Sequence, residues 1–447
     1  MAVDLFPADE SARLGGPDWL RARRTTALAT LADIDLPTAE LEEWRYSRIG
    51  DLRPERFGVL DAATRDEQAP ADEVPVAVAA AIAELGELAG VAVLHNGVLV
   101  HCELDEASRS AGVLLGAGDR AEEATFGSAM ERAPDVFALL NDAFGVDPVT
   151  LSVPRGVTVA RPVVVASYVD AEGAAVFPRL SVRAGEDSEV SVIELMLSSD
   201  VESMVAPVTE LAVGAAARVR HSVLQDLGPR VWQLGSLVGA VERDATLRSG
   251  VAALGGDYAR LRIDCRLVGR GAHGDLSSVY FGDGEQMIDL RTFQEHRAPD
   301  TTSNLLFKGA VGDRSHAVYT GLIRIKPDAR GTNAFQTNRN LKLSEHAWAE
   351  SVPNLEIENN DVHCSHASTV GPVDEDQRFY LESRGVSRPV AERLIVGGFF
   401  DEVIDDLPVG ALSGVVRDRL DALLDRQMGD VEAARSAGDE VVVGSAS

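Results

Sequence analysis

The chain has 447 residues, 45% of them apolar and 25% charged, a composition that excludes general disorder. Its 42 basic and 71 acidic side chains give a formal net charge of −29, which argues against nucleic acid or an anionic lipid surface as partner. Cys102, Cys265 and Cys364 are the only cysteines, too few and too scattered for a disulfide framework.

The opening stretch MAVDLFPADESARLGG lacks a basic segment followed by an apolar run, and no stretch approaches the roughly 18 apolar residues of a membrane span. A cytoplasmic, reduced protein is expected. The first ninety or so residues read as helical. LRARRTTALATLADIDL has helical spacing, Thr38 is placed to cap a short helix over TAELEEWRYSRI, and VPVAVAAAIAELGEL is an alanine-rich helical run. VAVLHNGVLVHCEL then sets Asn-Gly between apolar runs, a strong hairpin signal. Helical spacing returns between Gly118 and Phe144.

From about Pro148 to His366 the text is a succession of short runs of Val, Leu, Ile and Thr broken at Gly, Asp, Asn or Ala. Small residues that open strand-like segments recur at Ala217, Ala245, Ala272, Ser315, Ala329 and Ala347. The first two intervals are 28 and 27 residues and the later ones run from 14 to 43. Regular coils of about 20–30 residues suit a parallel β-helix, whose rungs bury their inward side chains against their neighbours. The irregular later intervals leave a sandwich or barrel open. After Gly371 helices resume: EDQRFYLESRG stops at Gly385, SRPVAERLIVGGFFDEVIDDL begins at Ser387, and DRLDALLDRQM follows before an acidic tail.

Few motifs carry chemistry. There is no G-x-S-x-G elbow and no phosphate-cradling G-x-x-x-x-G-K-[ST], and VGRGAHGDL reads as a turn among short strands. Metal ligands are the remaining candidates. In NNDVHCSHASTVG, an extended backbone puts Cys364 and His366 on one face and His363 on the other. A thiolate beside an imidazole suits zinc or iron, yet a free cysteine is commonly a small buried hydrophobe. With no H-E-x-x-H and no C-x-x-C, either the pair is packing or its remaining ligands come from another chain.

The segment Glu295 to Gly371, with DEDQRFYLESRG, RLIVGGFFDEVI, the N-terminal EEWRYS and FALLNDAFGVDPVTLSVPRGVTVARPVVV, resembles the SufB/SufD family of iron–sulfur cluster assembly proteins. Cys364-Ser365-His366 is more similar to the SufD branch, since SufB proteins carry a His-Glu pair there. The resemblance implies a mainly β fold, a right-handed parallel β-helix between N-terminal and C-terminal helical regions. The expected division is 1–147 mainly helical with a short hairpin, 148–366 β-helix, 367–430 helical and contacting SufC, and 431–447 a flexible acidic tail.

It further implies a non-catalytic scaffold that pairs with SufB and the ATPase SufC. Iron or a transient iron–sulfur cluster would be held at the SufB–SufD interface by His366, with Cys364 as neighbouring ligand. None would be bound permanently by this chain alone. Phe379, Tyr380, Arg384, Gly385, Phe399 and Phe400 fall in the partner-contacting helices, although the four aromatics are also spaced like core residues. The alternatives are a SufB-like homodimeric scaffold, compatible with dimerisation of the chain expressed alone, and a carbohydrate-active β-helix enzyme. An aromatic content of only 5% argues against the enzyme.

Overall fold

The computed structural model describes residues 6–60 and 73–443. The short Val-rich runs form a parallel β-solenoid of eight turns between Val149 and Pro372, each turn giving one strand to each of two sheets. From Val208–Val213 onward, strands therefore pair with the next strand but one: Arg218–Asp226 pairs with Thr246–Ala253, not with Val231–Val241 between them. The partners Thr246↔His273 and Thr302↔Asn333 give turns of 27 and 31 residues.

The sandwich and barrel readings are thereby excluded, and the irregular intervals have a simple cause. Ala217, Ala245 and Ala272 precede successive strands of one sheet, whereas Ser315 and Ala347 precede strands of the other. Two sets of bends were interleaved in one series. All these bend residues are almost fully buried, as are the small side chains needed where the chain turns tightly around the core.

Inward residues form columns along the solenoid. One runs Val190, Val219, Leu247, Gly274, Ser303, Ala334, Cys364, and the next Val192, His221, Ser249, Leu276, Leu305, Gln336, His366. The first is apolar or small until it ends at Cys364, and the second carries polar side chains at His221 and Ser249 and again at Gln336 and His366.

The flanking parts cover the two outer faces. The hairpin Gly90–His95 and Val98–Leu104 extends the ten-stranded sheet and turns at Asn96 and Gly97, with φ of 50° and 84°. Helix Asp18–Leu31 packs on helix Val136–Phe144, and both lie against the other sheet. They are held there by Arg179, which is buried between Asp142 at 2.6 Å and Glu210 at 2.5 Å. The segment expected as a Thr38-capped helix contains only the 3-10 turn Glu42–Trp44. Trp44 is buried under the Arg260 guanidinium (3.7 Å to the ring centre), so tertiary contact rather than helix propensity decides its backbone.

At the other end, helices Glu375–Ser383, Arg388–Ile404 and Ala411–Val443 follow. Asp374 caps the first, accepting from the backbone N–H groups of Asp376 and Gln377. Gly385 ends it with φ +88°. Ser387 stands at the start of the second helix without forming a side-chain cap bond. Buried Val396, Phe400, Val403 and Ile404 join Leu412, Val416 and Leu420 over the outer face of the ten-stranded sheet. The backbone remains helical to Val443, through most of the segment expected as a tail, and 444–447 lie outside the described residues. Among the described residues no helix is long and apolar enough to cross a membrane.

Candidate functional site

Strand Val362–Pro372 is the last of the ten-stranded sheet and pairs on one side only, with Thr332–Lys342. Strand Trp348–Ile357 ends the other sheet in the same way. The final turn thus presents two free strand edges and an uncovered interior, and nearly every side chain of Val362–Pro372 is exposed or half-buried. Free edges of this kind invite pairing with another chain.

Cys364 and His366 point into this open end. Cys364 is in register with buried Ala334 and packs with Ile323, Ile325 and Ala329. Burial pushes its thiol pKa up, so the free side chain is a neutral thiol near pH 7, and binding a metal would release its proton. His366 is in register with buried Gln336, and its ring is exposed. His363 is exposed on the opposite face of the strand. Among the described residues, no three His, Cys, Asp or Glu side chains converge as a metal site.

The other two cysteines lie elsewhere. Cys265 is sealed in the solenoid with its thiol pushed up to about 12 by burial, and Cys102 is half-buried on the hairpin. A Ser–His–carboxylate chain also occurs, which the sequence did not reveal because its members are 27 and 28 residues apart. His221 contacts Ser249 Oγ at 2.9 Å through Nδ1 and Glu194 Oε1 at 2.7 Å through Nε2. All three are buried inside the solenoid, closed to a substrate, and the register of the rungs accounts for their meeting.

The C-terminal aromatics divide. Phe379 and Tyr380 are 71% and 58% exposed, with the Arg384 guanidinium 5.2 Å from the Tyr380 ring centre and Gly385 just beyond. Phe400 is 1% exposed and belongs to the helical core, and Phe399 packs half-buried against Lys308. Val390 and Leu394, one helical turn apart, add exposed apolar surface that the sequence analysis did not single out.

A family model described as SUF system FeS cluster assembly, SufBD core domain, matches residues 167–399. That range takes in most of the solenoid, the Cys364–His366 mouth and the exposed helical aromatics.

The chain belongs to the SufBD family.

An iron–sulfur cluster assembly SufBD family protein of Mycobacterium leprae is 35% identical over 295 residues, covering 64% of this chain and 74% of the relative. Its Mycobacterium tuberculosis H37Rv counterpart is 36% identical over 286 residues, covering 62% and 70%. A Staphylococcus haemolyticus SufBD family protein is 25% identical over 412 residues, 88% of this chain and 87% of that one. In this SufBD protein the open rung is thus part of the family core, and the residues with metal-ligating chemistry sit at its exposed end.

Proposed function

We propose that this chain is the SufD-type scaffold subunit of a SUF assembly complex, working in the cytoplasm with SufB and the ATPase SufC. It holds iron or a nascent iron–sulfur cluster as cargo at an interface shared with SufB and catalyses no reaction itself. The observation that carries the reading is the pairing of Cys364 and His366 on the one-sided terminal strand. Two soft or borderline ligands at a free edge make half a tetrahedral site, and a partner strand at that edge brings the rest. His366 binds as neutral imidazole and Cys364 as thiolate, the proton leaving when the cargo arrives.

Phe379, Tyr380 and the Arg384–Gly385 corner form the surface offered to SufC. ATP hydrolysis there would shift the helices relative to the solenoid and open the shared edge. The same free edge also fits a second copy of this chain, the homodimeric reading, and co-purification separates the two.

The test is co-expression with SufB and SufC from the same organism, followed by anaerobic iron and sulfide analysis of the purified complex. The reading expects a three-component complex whose cluster content falls with His366→Ala and, to a smaller extent, with Cys364→Ala. Unchanged iron and sulfide in both variants would overturn the site. Failure to co-purify with SufB, with a homodimer in its place, would overturn the subunit assignment.

A further inference from the structure

Gln336 is 2% exposed, and neither its Nε2 nor its Oε1 has a hydrogen-bond partner among the described residues. A buried amide left wholly unpaired is costly enough to require an explanation. Its place in the solenoid is specific. Gly321 stands across the interior, and a Cβ there would come within 2.2 Å of Gln336 Nε2. Only glycine leaves the amide its room. Tyr319 Oη, which would lie 2.4 Å from that same Cβ, is already engaged with Thr292 Oγ1 at 2.9 Å. Along its own column, Gln336 has apolar Leu305 on one side and His366 on the other.

Adjacent rungs lie about 4.8 Å apart, and both side chains project inward. The His366 ring makes no hydrogen bond among the described residues. An amide with no partner therefore lies next to an imidazole with none. Rotation about the terminal side-chain torsions brings them together without moving backbone. A metal-binding imidazole ordinarily has its second ring nitrogen held by an oxygen acceptor, which fixes the tautomer and raises the basicity of the free nitrogen.

We propose that Gln336 is the positioning residue for His366, its Oε1 accepting from one ring N–H so that the other ring nitrogen faces the open end of the solenoid. Its importance for cluster building rests on the assignment of His366 to the shared site, whereas the contact itself belongs to this chain alone.

The experiment uses the full chain labelled with 15N-histidine, its ring nitrogen shifts being read at about pH 8, where an ordinary imidazole is neutral. The wild type is expected to show one His366 tautomer favoured about tenfold, the bias that one ordinary hydrogen bond sustains. Gln336→Leu should bring the two tautomers to comparable populations, and Gln336→Glu, which keeps an oxygen acceptor, should restore the bias. Gln336→Met gives the same reading should the leucine variant not fold. A His366 tautomer ratio that is unchanged in the apolar variant overturns the proposal. If His366→Ala leaves cluster content in the complex unchanged while the tautomer ratio still responds, the cargo assignment falls and the positioning contact stands.

Discussion

Lys308, on the solenoid wall, donates to the backbone carbonyl oxygen of Phe399 at 2.7 Å, and its ammonium lies 4.7 Å from the centre of that residue's ring. The Lys308 side chain is only 4% exposed, and its carboxylate partner, Glu402 at 2.5 Å, is largely in solvent. Lys308 holds the Glu402 carboxyl below its ordinary pKa, but solvent screens that pair. The part-buried contact to Phe399 is therefore the stronger tie. It fastens helix Arg388–Ile404, and with it the proposed SufC surface, to the strand two rungs before Cys364 and His366. Replacing Lys308 with Met should cost about 1–3 kcal/mol, concentrated in the helices. Hydrogen exchange checks this: amides of Arg388–Ile404 should lose protection while the solenoid strands keep theirs. A uniform loss would mean that Lys308 does not act as a local fastening.

Phe400 and the Phe379–Tyr380 pair make opposite predictions. Phe400→Ala empties a buried ring site and should destabilise by about 3–5 kcal/mol. Phe379→Ser with Tyr380→Ser removes exposed rings and should leave thermal unfolding within about 0.5 kcal/mol of wild type. If this surface receives SufC, the double variant weakens that association at least about tenfold, as loss of an exposed aromatic anchor does. Calorimetric titration with SufC measures it. Wild-type affinity in the double variant would move the contact elsewhere on the helices.

The solenoid was legible in the sequence because its rungs repeat, and the 28- and 27-residue spacing of Ala217, Ala245 and Ala272 is the length of one turn. Pattern alone left a sandwich open because the Ser315 and Ala347 bends belong to the other sheet, and the interleaved series hid the period. Alternation within an extended strand put Cys364 and His366 on one face, which is how the structure has them. The partners in the next rung were not legible. Gln336 is 30 positions before His366, and His221 lies 27 after Glu194, distances at which only the register of a folded solenoid brings side chains together. Spacing also could not separate Phe400 from Phe379, since the two helices share one helical period, but Glu375–Ser383 buries no residue whereas Arg388–Ile404 buries Phe400 with Val396, Val403 and Ile404.

Gly309 offers a packing test of the same interior. A Cβ at this position would lie 1.9 Å from Cε2 of Tyr280, a ring that is fully buried. Tyr280 Oη donates to Asn340 Oδ1 at 2.6 Å and accepts from Asn338 Nδ2 at 2.8 Å. Gly309→Ala must displace the ring and strain both bonds, for a loss of about 3 kcal/mol. Tyr280→Leu removes the obstructing ring atoms, so adding Gly309→Ala to that variant should cost much less than it does in the wild type. Denaturant unfolding of the four proteins gives the coupling. Additive losses would show that the ring is not what Gly309 accommodates.

His296 makes stability depend on pH with a definite sign. Its ring is buried between the hydroxyls of Thr301, 2.8 Å from Nδ1, and Ser303, 2.9 Å from Nε2. Burial alone lowers its pKa to about 4, from an ordinary value of 6.5. The unfolded chain therefore binds a proton as pH falls below 6.5, whereas the folded chain resists until about 4. Protonation favours unfolding across that interval. The contribution of neutral His296 is fully present above 6.5, is lost progressively as pH falls, and is gone below 4. The shift corresponds to about 3 kcal/mol. Buried carboxylates titrate in part of the same range, so the informative quantity is the difference between wild type and His296→Gln. That variant keeps a hydrogen-bonding side chain and carries no titratable group. Urea unfolding at intervals from pH 7.5 to 4.5 should show the wild type losing stability faster than the variant, the gap opening below 6.5 and approaching its full size near 4. Parallel curves would mean that the imidazole takes up its proton in the folded chain as readily as in the unfolded one.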